Sequence, residues 1–523
     1  MTEPPVARAS DPAPEEATDD GETRRAGRGL FAIAGAKVYF IVTAYAIQLA
    51  LPRILGSPEA FGLYAAALSA VSMLNMILIA ATIQSVSKFV SEDEDASPAL
   101  LRQGLRIQFA LGGLLAGALF LAAPSLSAFL RDDALVPLLR AASVVVFAYA
   151  IYAAVVGSLN GRRLFGHQAR LDMGFSTLRT MGILGGATLG IGALGAMAGF
   201  ATAALCIMLV SLVVVGRQLV RRTDAEPLAL KRWFAFMAPI WTYQAFLNGC
   251  LQIDVQVLKK VVAELALGAG ASAAEAASTA STQVGFYRAA QTFAFVPYQL
   301  ILAMTFIIFP MISRATAAGD GEAARRTIRG SMRFSLLLLL SVAAPVAGAA
   351  DGVMRVAYPE EYLAGAPALG ILVFGLVAFA LFVIAATVLS SSGRPGLAAA
   401  IAAVALVVVV VANWVFIHEA GAGGAVLVAA ASATTLGTTV ACLLAGAAVF
   451  VRFRALIPLP TVVRGMLAGA IGFAAAHHVP HETRLMAVAA LAAGFFAFSL
   501  ALLALREVRG EDLRTARSIL LNR

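Results

Sequence analysis

Long apolar runs, separated by short glycine-bearing or charged links, dominate the pattern of the chain. A helix that crosses the hydrocarbon core of a membrane needs about 20 mostly apolar residues. Runs of that kind number 14 and fall at residues 29–52, 60–86, 103–128, 134–157, 170–191, 193–215, 232–256, 284–310, 331–350, 364–390, 396–417, 422–450, 460–478 and 485–505. The pattern therefore predicts an all-α polytopic membrane protein with about 14 transmembrane helices.

The distribution of basic residues supports this count, because cytoplasmic segments of membrane proteins are enriched in lysine and arginine. If the chain starts inside and alternates, 29 of its 39 basic residues lie in or next to inside segments and 6 lie outside. Four remain within the spans, namely Lys37, Arg140, Arg179 and Arg288. We therefore expect both termini to be cytoplasmic, and the net charge of +9 needs no nucleic-acid partner to explain it.

Composition narrows the function classes further. The chain is 60% hydrophobic and only 13% charged, whereas soluble domains are about 25% charged, which excludes a soluble enzyme. Its three cysteines are far apart and form no metal-binding pattern. No nucleotide-binding G-x-x-x-x-G-K-[ST] motif occurs, so we expect no ATP hydrolysis by this chain. We also expect no catalytic residues, no metal site and no resident cofactor.

Charged and low-complexity segments suggest the domain organisation. The first residues are rich in Pro, Ala and acidic residues and have no apolar core, which favours a disordered tail over a signal peptide. An Ala/Ser-rich insertion at 262–282 occupies the longest outside loop, about 257–283. The predicted units are a disordered cytoplasmic tail (1–28), a first lobe of six helices (29–217), a cytoplasmic linker (218–231), a second lobe of six helices (232–451), two extra helices (460–505) and a cytoplasmic C-terminal tail (506–523).

Several ordered motifs resemble one family of transporters. The segment LPRILGSPEAFGLY, before and within the second span, and QIDVQVLKKV followed by VGFYRAAQTFAFVPYQ, in the seventh and eighth, are two of them. The others are YPEEYLAGAPALGIL, before the tenth, and VANWVFIHEAGAGGAV, between the eleventh and twelfth. Together they resemble the polysaccharide (O-antigen-type) flippases of the multidrug/oligosaccharidyl-lipid/polysaccharide exporter superfamily, over most of the chain from about 37 to 450. The insertion at 262–282 departs from the compact loop usual in that family.

The resemblance implies a fold and a function. The fold is two six-helix lobes around a central cavity, with two extra C-terminal helices as in some family members. The function is translocation of a lipid-linked oligosaccharide or polysaccharide precursor across the bacterial inner (cytoplasmic) membrane by alternating access, driven by an ion gradient or the membrane potential. The expected partners are a polyprenyl diphosphate-linked oligosaccharide, membrane lipids, and a polysaccharide polymerase with its export machinery. We expect a monomer.

Charges within the spans are the first candidates for binding the diphosphate, because such residues are costly and mark transport pathways. Arg179 lies near the middle of its span, where a structural hydrogen bond between lobes is the alternative. Lys37 lies two turns from the cytoplasmic side and Arg288 one turn from the outside, so both could instead reach the headgroups. Arg140 more simply reaches the headgroups or pairs with Asp133.

A polar stripe completes the predicted substrate site. Gln244, Asn248 and Gln252 recur every four residues in the span 232–256 and therefore share one helix face. A stripe facing a wet cavity could bind the hydroxyl groups of sugars, while hydrogen bonding between helices is the alternative.

An acidic residue in the same span is a candidate coupling-ion ligand. Asp254 is the one acid well inside the spans of the second lobe, and acids in membranes often bind protons or cations. By resemblance to related lipid-linked precursor flippases, Asp254 with Asn413, and with Thr434 or Thr435, could bind a coupling Na⁺ or H⁺. The alternative is a salt bridge from Asp254 to Lys259 or Lys260 near the outer face.

Two other functions remain open from the sequence. A multidrug or cation antiporter of the same superfamily is the main alternative, although 14 spans and cationic intramembrane residues fit cationic drugs poorly. A third hypothesis is a membrane glycosyltransferase or polysaccharide polymerase. Such an enzyme needs an outside loop with acids or histidines, whereas the one long loop is mostly Ala, Ser and Gly.

Overall fold

The computed structural model describes residues 16–223, 225–301, 314, 320–421, 423–480 and 482–507. Within these ranges the chain is α-helical with one 3₁₀ turn, Glu360–Gly365, and contains no strand. The helices are α1 Glu16–Leu55, α2 Pro58–Glu92, α3 Ser97–Phe129, α4 Leu135–Gly161, α5 Phe165–Thr188, α6 Gly192–Val214, α7 Gly216–Val220, α8 Leu230–Gly268, α9 Ala273–Ala294, α10 Gly321–Gly348, α11 Ala350–Ala357, α12 Ala366–Ser391, α13 Pro395–Ala420, α14 Val426–Phe453, α15 Leu459–His478 and α16 Arg484–Ala504.

Eleven stretches of the described chain are long and apolar enough to cross a membrane, judged by length and composition. The polytopic all-α prediction is therefore confirmed. α5 and α8 cover two further predicted spans, 170–191 and 232–256. They are not among the eleven, because they contain more charged and polar residues. The predicted span 284–310 extends into residues 302–313, which lie outside the described residues. The count of 14 and the cytoplasmic termini stay predictions.

The helices pack as two bundles. In the first bundle, α1 packs on α5, α2 and α3 pack on α4, and α5 packs on α6. In the second, α8 packs on α13, and α14 packs on both α12 and α13. α15 and α16 pack on each other and against α10, beside the second bundle. The bounds of the predicted lobes and extra helices stay a prediction.

Helices α2, α8 and α9 form the contact between the bundles. A Cβ atom at Gly62 of α2 would overlap the carbonyl oxygen of Ser281 on α9, and one at Gly285 would overlap that of Pro58. The Gln256 side chain of α8 donates to the carbonyl oxygen of Ala66 at 2.8 Å. Only glycine permits so close a backbone approach, so these two glycines set the distance between the bundles at this end.

The predicted outside loop at 257–283 is helical except for residues 269–272, which corrects the prediction that this Ala/Ser-rich stretch is a loop. α8 continues to Gly268 and α9 begins at Ala273, so the connection between them is short. Ser272 caps α9 by accepting from the backbone N–H of Glu275, whose side chain accepts from the backbone N–H of Ser272 in return. Alanine has the highest helix propensity, and the Ala-rich composition that suggested a loop instead extends both helices.

The N-terminal segment also differs from its prediction. Residues 1–15, part of the predicted disordered tail, lie outside the described residues. α1 begins at Glu16, within that predicted tail. Glu, Ala and Arg are good helix formers, so the segment from residue 16 onward forms a helix although its composition is polar. The C-terminal tail prediction, 506–523, lies outside the described residues beyond Glu507.

Candidate functional site

A buried carboxylate organises the middle of the second bundle. Asp254 on α8 is fully buried, and its Oδ2 accepts hydrogen bonds from the hydroxyl of Tyr287 at 2.8 Å, the Nε2 of Gln291 at 3.0 Å and the hydroxyl of Thr434 at 3.2 Å. Its Oδ1 accepts from the backbone N–H of Val255 at 2.8 Å. Three helices, α8, α9 and α14, therefore meet at one carboxylate.

Asn413 joins this group from α13. Its Nδ2 donates to the hydroxyl of Thr434 at 3.2 Å and to the carbonyl oxygen of Val409 at 2.9 Å. Its Oδ1 is buried and accepts no hydrogen bond from the described residues. The structure thus brings the two predicted coupling-ion residues, Asp254 and Asn413, together through Thr434, and it leaves one amide oxygen available to a cation or proton donor.

The two lysines that were alternative partners of Asp254 bind elsewhere. Lys259 Nζ donates to Asp132 Oδ2 at 2.7 Å and to the Ser281 hydroxyl at 2.6 Å. Lys260 pairs with Glu264 at 2.8 Å. The salt bridge from Asp254 to a lysine is therefore absent from this part of the structure.

Arg179 on α5 lies among aromatic rings in the first bundle. Its guanidinium carbon lies 4.3 Å from the ring centre of Phe40 and 5.8 Å from that of Phe175. Tyr149 lies beside the guanidinium as well. Its Nε and Nη2 are buried and donate to no acceptor within the described ranges. The residue as a whole is half-buried, and a guanidinium with free N–H groups can bind an anionic ligand.

Arg288 on α9 presents a second guanidinium from the other bundle. Its Nη1 donates to Gln291 Oε1 at 3.2 Å, and its buried Nε has no hydrogen-bond partner in the described chain. The charges of Arg179 and Arg288 both act on the hydroxyl of Tyr64, which lies on α2. The two arginines belong to different bundles, Arg179 to α5 of the first and Arg288 to α9 of the second.

Lys37 is the third cationic residue of the predicted substrate site and lies three residues before Phe40, whose ring faces Arg179. It lies exposed on α1, and its charge acts on Asp172 of α5. Asp172 Oδ1 accepts a hydrogen bond from the hydroxyl of Tyr152 at 2.8 Å. The sequence interpretation overlooked Asp172, although it lies seven residues before Arg179 and so on the same helix face.

The polar stripe of α8 is only partly free to bind sugars. Gln252 Oε1 accepts from the hydroxyl of Ser69 on α2 at 3.1 Å, which makes it a contact between bundles. Asn248 Nδ2 donates to the backbone oxygen of Gln244 at 2.9 Å. The Gln244 side chain is half-buried and has no hydrogen-bond partner in the described chain. Of the three, Gln244 is therefore the one whose side chain is unoccupied.

The paired cluster of Lys259, Asp132 and Ser281 was missed from the sequence. Lys259 is fully buried, and Asp132 lies between α3 and α4, so the ion pair joins the two bundles. Ser281 donates to the same Asp132 oxygen at 3.2 Å. The Ala-rich segment that follows Lys259 was the available signal, since its helix propensity carries α8 past the predicted end of its span.

Comparisons with known proteins agree with this architecture. A family model described as "polysaccharide biosynthesis protein" matches residues 50–367, more than half of the chain. No curated protein matches the chain in sequence.

Solved structures with the same fold include several membrane transporters. A lipid II flippase, MurJ, in an inward closed conformation has a TM-score of 0.69 at 12% identity, and the match covers 92% of this chain and 99% of that one. An inward-facing multidrug resistance MATE family transporter of the MOP superfamily has a TM-score of 0.63 at 18% identity, covering 79% and 94%. A MOP superfamily transporter from Pyrococcus furiosus has a TM-score of 0.58 at 14% identity, covering 82% and 96%. These similarities establish the fold.

Proposed function

The chain belongs to the family of polysaccharide biosynthesis proteins, and on that premise we propose that it is a flippase for lipid-linked saccharides. It translocates an oligosaccharide or polysaccharide precursor on a polyprenyl diphosphate carrier across the bacterial inner membrane by alternating access. The flippase and the multidrug transporters that share its fold support a transport function of this kind. The polymerase and export machinery are its expected functional partners, and the working unit is a monomer.

The observation that carries this proposal is the pair of incompletely bonded guanidinium groups. Arg179 and Arg288 come from different bundles and retain buried N–H groups without acceptors in the described chain. A diphosphate presents several anionic oxygens, and guanidinium groups bind such oxygens through short, charge-assisted hydrogen bonds. A ligand that both arginines contact would bridge the two bundles, as alternating access requires.

The buried acid of the second bundle supports an ion-coupled mechanism. Asp254, Thr434 and Asn413 form a continuous hydrogen-bonded set, and Asn413 Oδ1 still lacks a partner in the described chain. Oxygen ligands of this type can bind Na⁺, and a carboxylate can instead take up a proton. We therefore assign Na⁺ or H⁺ coupling to this set. A Na⁺ gradient and a pH gradient, imposed separately on proteoliposomes, distinguish the two ions.

A multidrug antiporter is the second candidate because transporters of that class share the fold. The same two arginines count against it, since their positive charge repels cationic drugs. The two functions differ in their response to loss of Arg179.

The test compares two arginine variants in a strain that lacks its own flippase for the saccharide. With Arg179→Gln we expect loss of surface polysaccharide and accumulation of the lipid-linked precursor on the cytoplasmic side. Arg140→Gln is the matched control, because Arg140 is exposed on α4 and its guanidinium carbon lies 5.1 Å from the ring centre of Phe120. Unchanged polysaccharide export by Arg179→Gln, with altered drug resistance, would instead favour the antiporter.

A further inference from the structure

A separate cavity lies at the ends of four helices in the first bundle, away from Arg179 and Arg288. It has a volume of about 270 Å³. It lies where α3 and α5 begin and α4 and α6 end, and the short helix α7 forms one wall. By the distribution of basic residues this is the side predicted to be cytoplasmic.

Hydrogen bonds hold the walls of this cavity in place. Gln218 of α7 donates to the hydroxyls of Ser97 at 2.6 Å and Ser158 at 3.3 Å, and its Oε1 accepts from Arg162 at 2.8 Å. Arg102 of α3 donates to the backbone oxygen of Arg221 at 2.7 Å. α7 is therefore fixed to α3 and α4, and the cavity does not require rearrangement before a ligand binds.

The cavity has an excess of positive charge that is not neutralised within the described chain. Arg217 and Arg221 line it, and neither side chain forms a hydrogen bond or an ion pair with a described residue. Arg162 and His167 add to the same lining, and Glu94 is the one acidic residue in it. Guanidinium groups that converge on a cavity favour a ligand with anionic oxygens, of which phosphate is the most common.

The surface beside the cavity is apolar and exposed. Val213 and Val220 are each about four-fifths exposed, at 80% and 81%, and the cavity-lining Val214 is 44% exposed. On a membrane protein such side chains contact acyl chains. Basic pockets between transmembrane helices on the cytoplasmic side are suited to lipid headgroups.

We propose that this cavity binds a phosphate group, and that an anionic phospholipid of the adjacent leaflet carries it. Arg217 and Arg221 contact the phosphate oxygens, and the acyl chains lie along Val213 and Val220. The bound lipid holds α7, and with it the start of the linker between the bundles, at the membrane surface. This site is separate from the proposed diphosphate site and does not depend on the transported substrate.

The test measures lipid binding to the full-length purified protein. Phosphatidylglycerol retained in native mass spectrometry, compared with phosphatidylcholine, gives the apparent affinity. For Arg217→Gln with Arg221→Gln we expect the phosphatidylglycerol affinity to fall at least about tenfold, because each basic residue near an anionic headgroup contributes about 1 kcal/mol. The matched control is Arg106→Gln with Arg222→Gln, which removes the same charge from exposed arginines that do not line the cavity.

Three outcomes decide the proposal. An equal loss of affinity in the test and control pairs would overturn it, because general surface charge would then account for lipid binding. Protection against thermal unfolding by inorganic phosphate as strong as that by phosphatidylglycerol would overturn the lipid as carrier. Arg217→Lys with Arg221→Lys keeps the charge but loses the paired donors, so we expect it to fold normally and to weaken binding less than the Gln pair. Binding as weak as that of the Gln pair would overturn the charge-based assignment.

Discussion

Two groups of cationic side chains in this fold differ in whether their buried N–H groups have partners. The paired cluster, Lys259 with Asp132 and Ser281, satisfies its lysine with two partners across the bundle contact, and that lysine is fully buried. The open pair, Arg179 and Arg288, keeps buried N–H groups without acceptors in the described chain. The paired cluster joins the two bundles, whereas the open pair has one arginine in each bundle.

The presence or absence of partners distinguishes a buried charge with a structural role from one that is available for binding. A buried ion pair has its desolvation cost offset by its own partner, and removal of one partner leaves an uncompensated charge. In the unliganded protein, part of the desolvation free energy of an incompletely bonded guanidinium is not offset by any partner. An anionic ligand offsets it on binding. From the sequence alone, Lys259 is not recognised as a structural charge, because the hydropathy pattern places it in an outside loop.

Removing one partner of the paired cluster should change the free energy of unfolding more than any other variant proposed. Lys259→Met leaves Asp132 buried and unpaired, and we expect it to lower the free energy of unfolding by about 3–5 kcal/mol. Thermal unfolding in detergent, followed by size-exclusion fluorescence, measures the loss. The double variant Lys259→Met with Asp132→Asn should regain much of the stability. If the single and double variants are equally unstable, the ion pair is not the cause.

Removing one guanidinium of the open pair should separate stability from transport. We expect Arg179→Gln to unfold no more readily than the unchanged protein, because it removes buried donors that lack partners and cost about 1–3 kcal/mol. Transport of a lipid-linked saccharide in proteoliposomes should fall about 10- to 100-fold, the value of one charge-assisted hydrogen bond. A fall in both stability and transport would place Arg179 with the structural charges instead.

Asp254 tests whether a fully bonded acid can also be functional. We expect Asp254→Asn to cost about 1–3 kcal/mol of stability, since the amide cannot accept every hydrogen bond that the carboxylate accepts. We also expect it to abolish the response of transport to an imposed ion gradient. Asn413→Leu, which removes the unpartnered oxygen, is the companion variant. Gradient-dependent transport in both variants would exclude this set as the coupling site.

The smallest effect is expected at Glu507, which lies beyond the last predicted span, because the two arginines that pair with it are partly exposed. Glu507 follows α16 and accepts from Thr461, Arg333 and Arg464. Burial raises its pKa, but the hydrogen bonds from Thr461, Arg464 and Arg333 outweigh burial and lower the pKa below its ordinary value of 4.5.

This shift has a defined sign. A carboxylate with a lowered folded-state pKa stabilises the protein above its unfolded-state pKa, and that stabilisation is lost as the pH falls through the folded-state value. We expect a loss of about 1 kcal/mol or less on acidification below pH 4.5. Melting temperatures of the unchanged protein and of Glu507→Gln should converge at low pH. A gap that persists there would contradict the assignment.

Much of the architecture was predictable because apolar periodicity is a local property. The helical class of the chain and its eleven apolar spans follow from runs of residues that any single helix would show. Asp254 and Asn413 were predicted together from a resemblance, and the structure brings them together through Thr434.

The errors have a physical cause too. The segment 257–283 looked like a loop because its residues are small and weakly apolar, yet alanine favours helix, and α8 and α9 extend through it. Gln252 looked like a cavity residue, yet it meets Ser69 of the other bundle. A helical face predicted from spacing does not say whether it faces a cavity or a neighbouring helix.

The sequence by itself determined that this chain is a helical membrane protein and which ionisable residues its spans contain. Hydropathy and charge act residue by residue, so a linear pattern is enough to show them. Only the tertiary structure decided that Lys259 is neutralised by Asp132, 127 positions away along the chain, while Arg179 and Arg288 keep free donors. The role of a buried charge depends on whether a partner reaches it, and contacts between distant helices settle that.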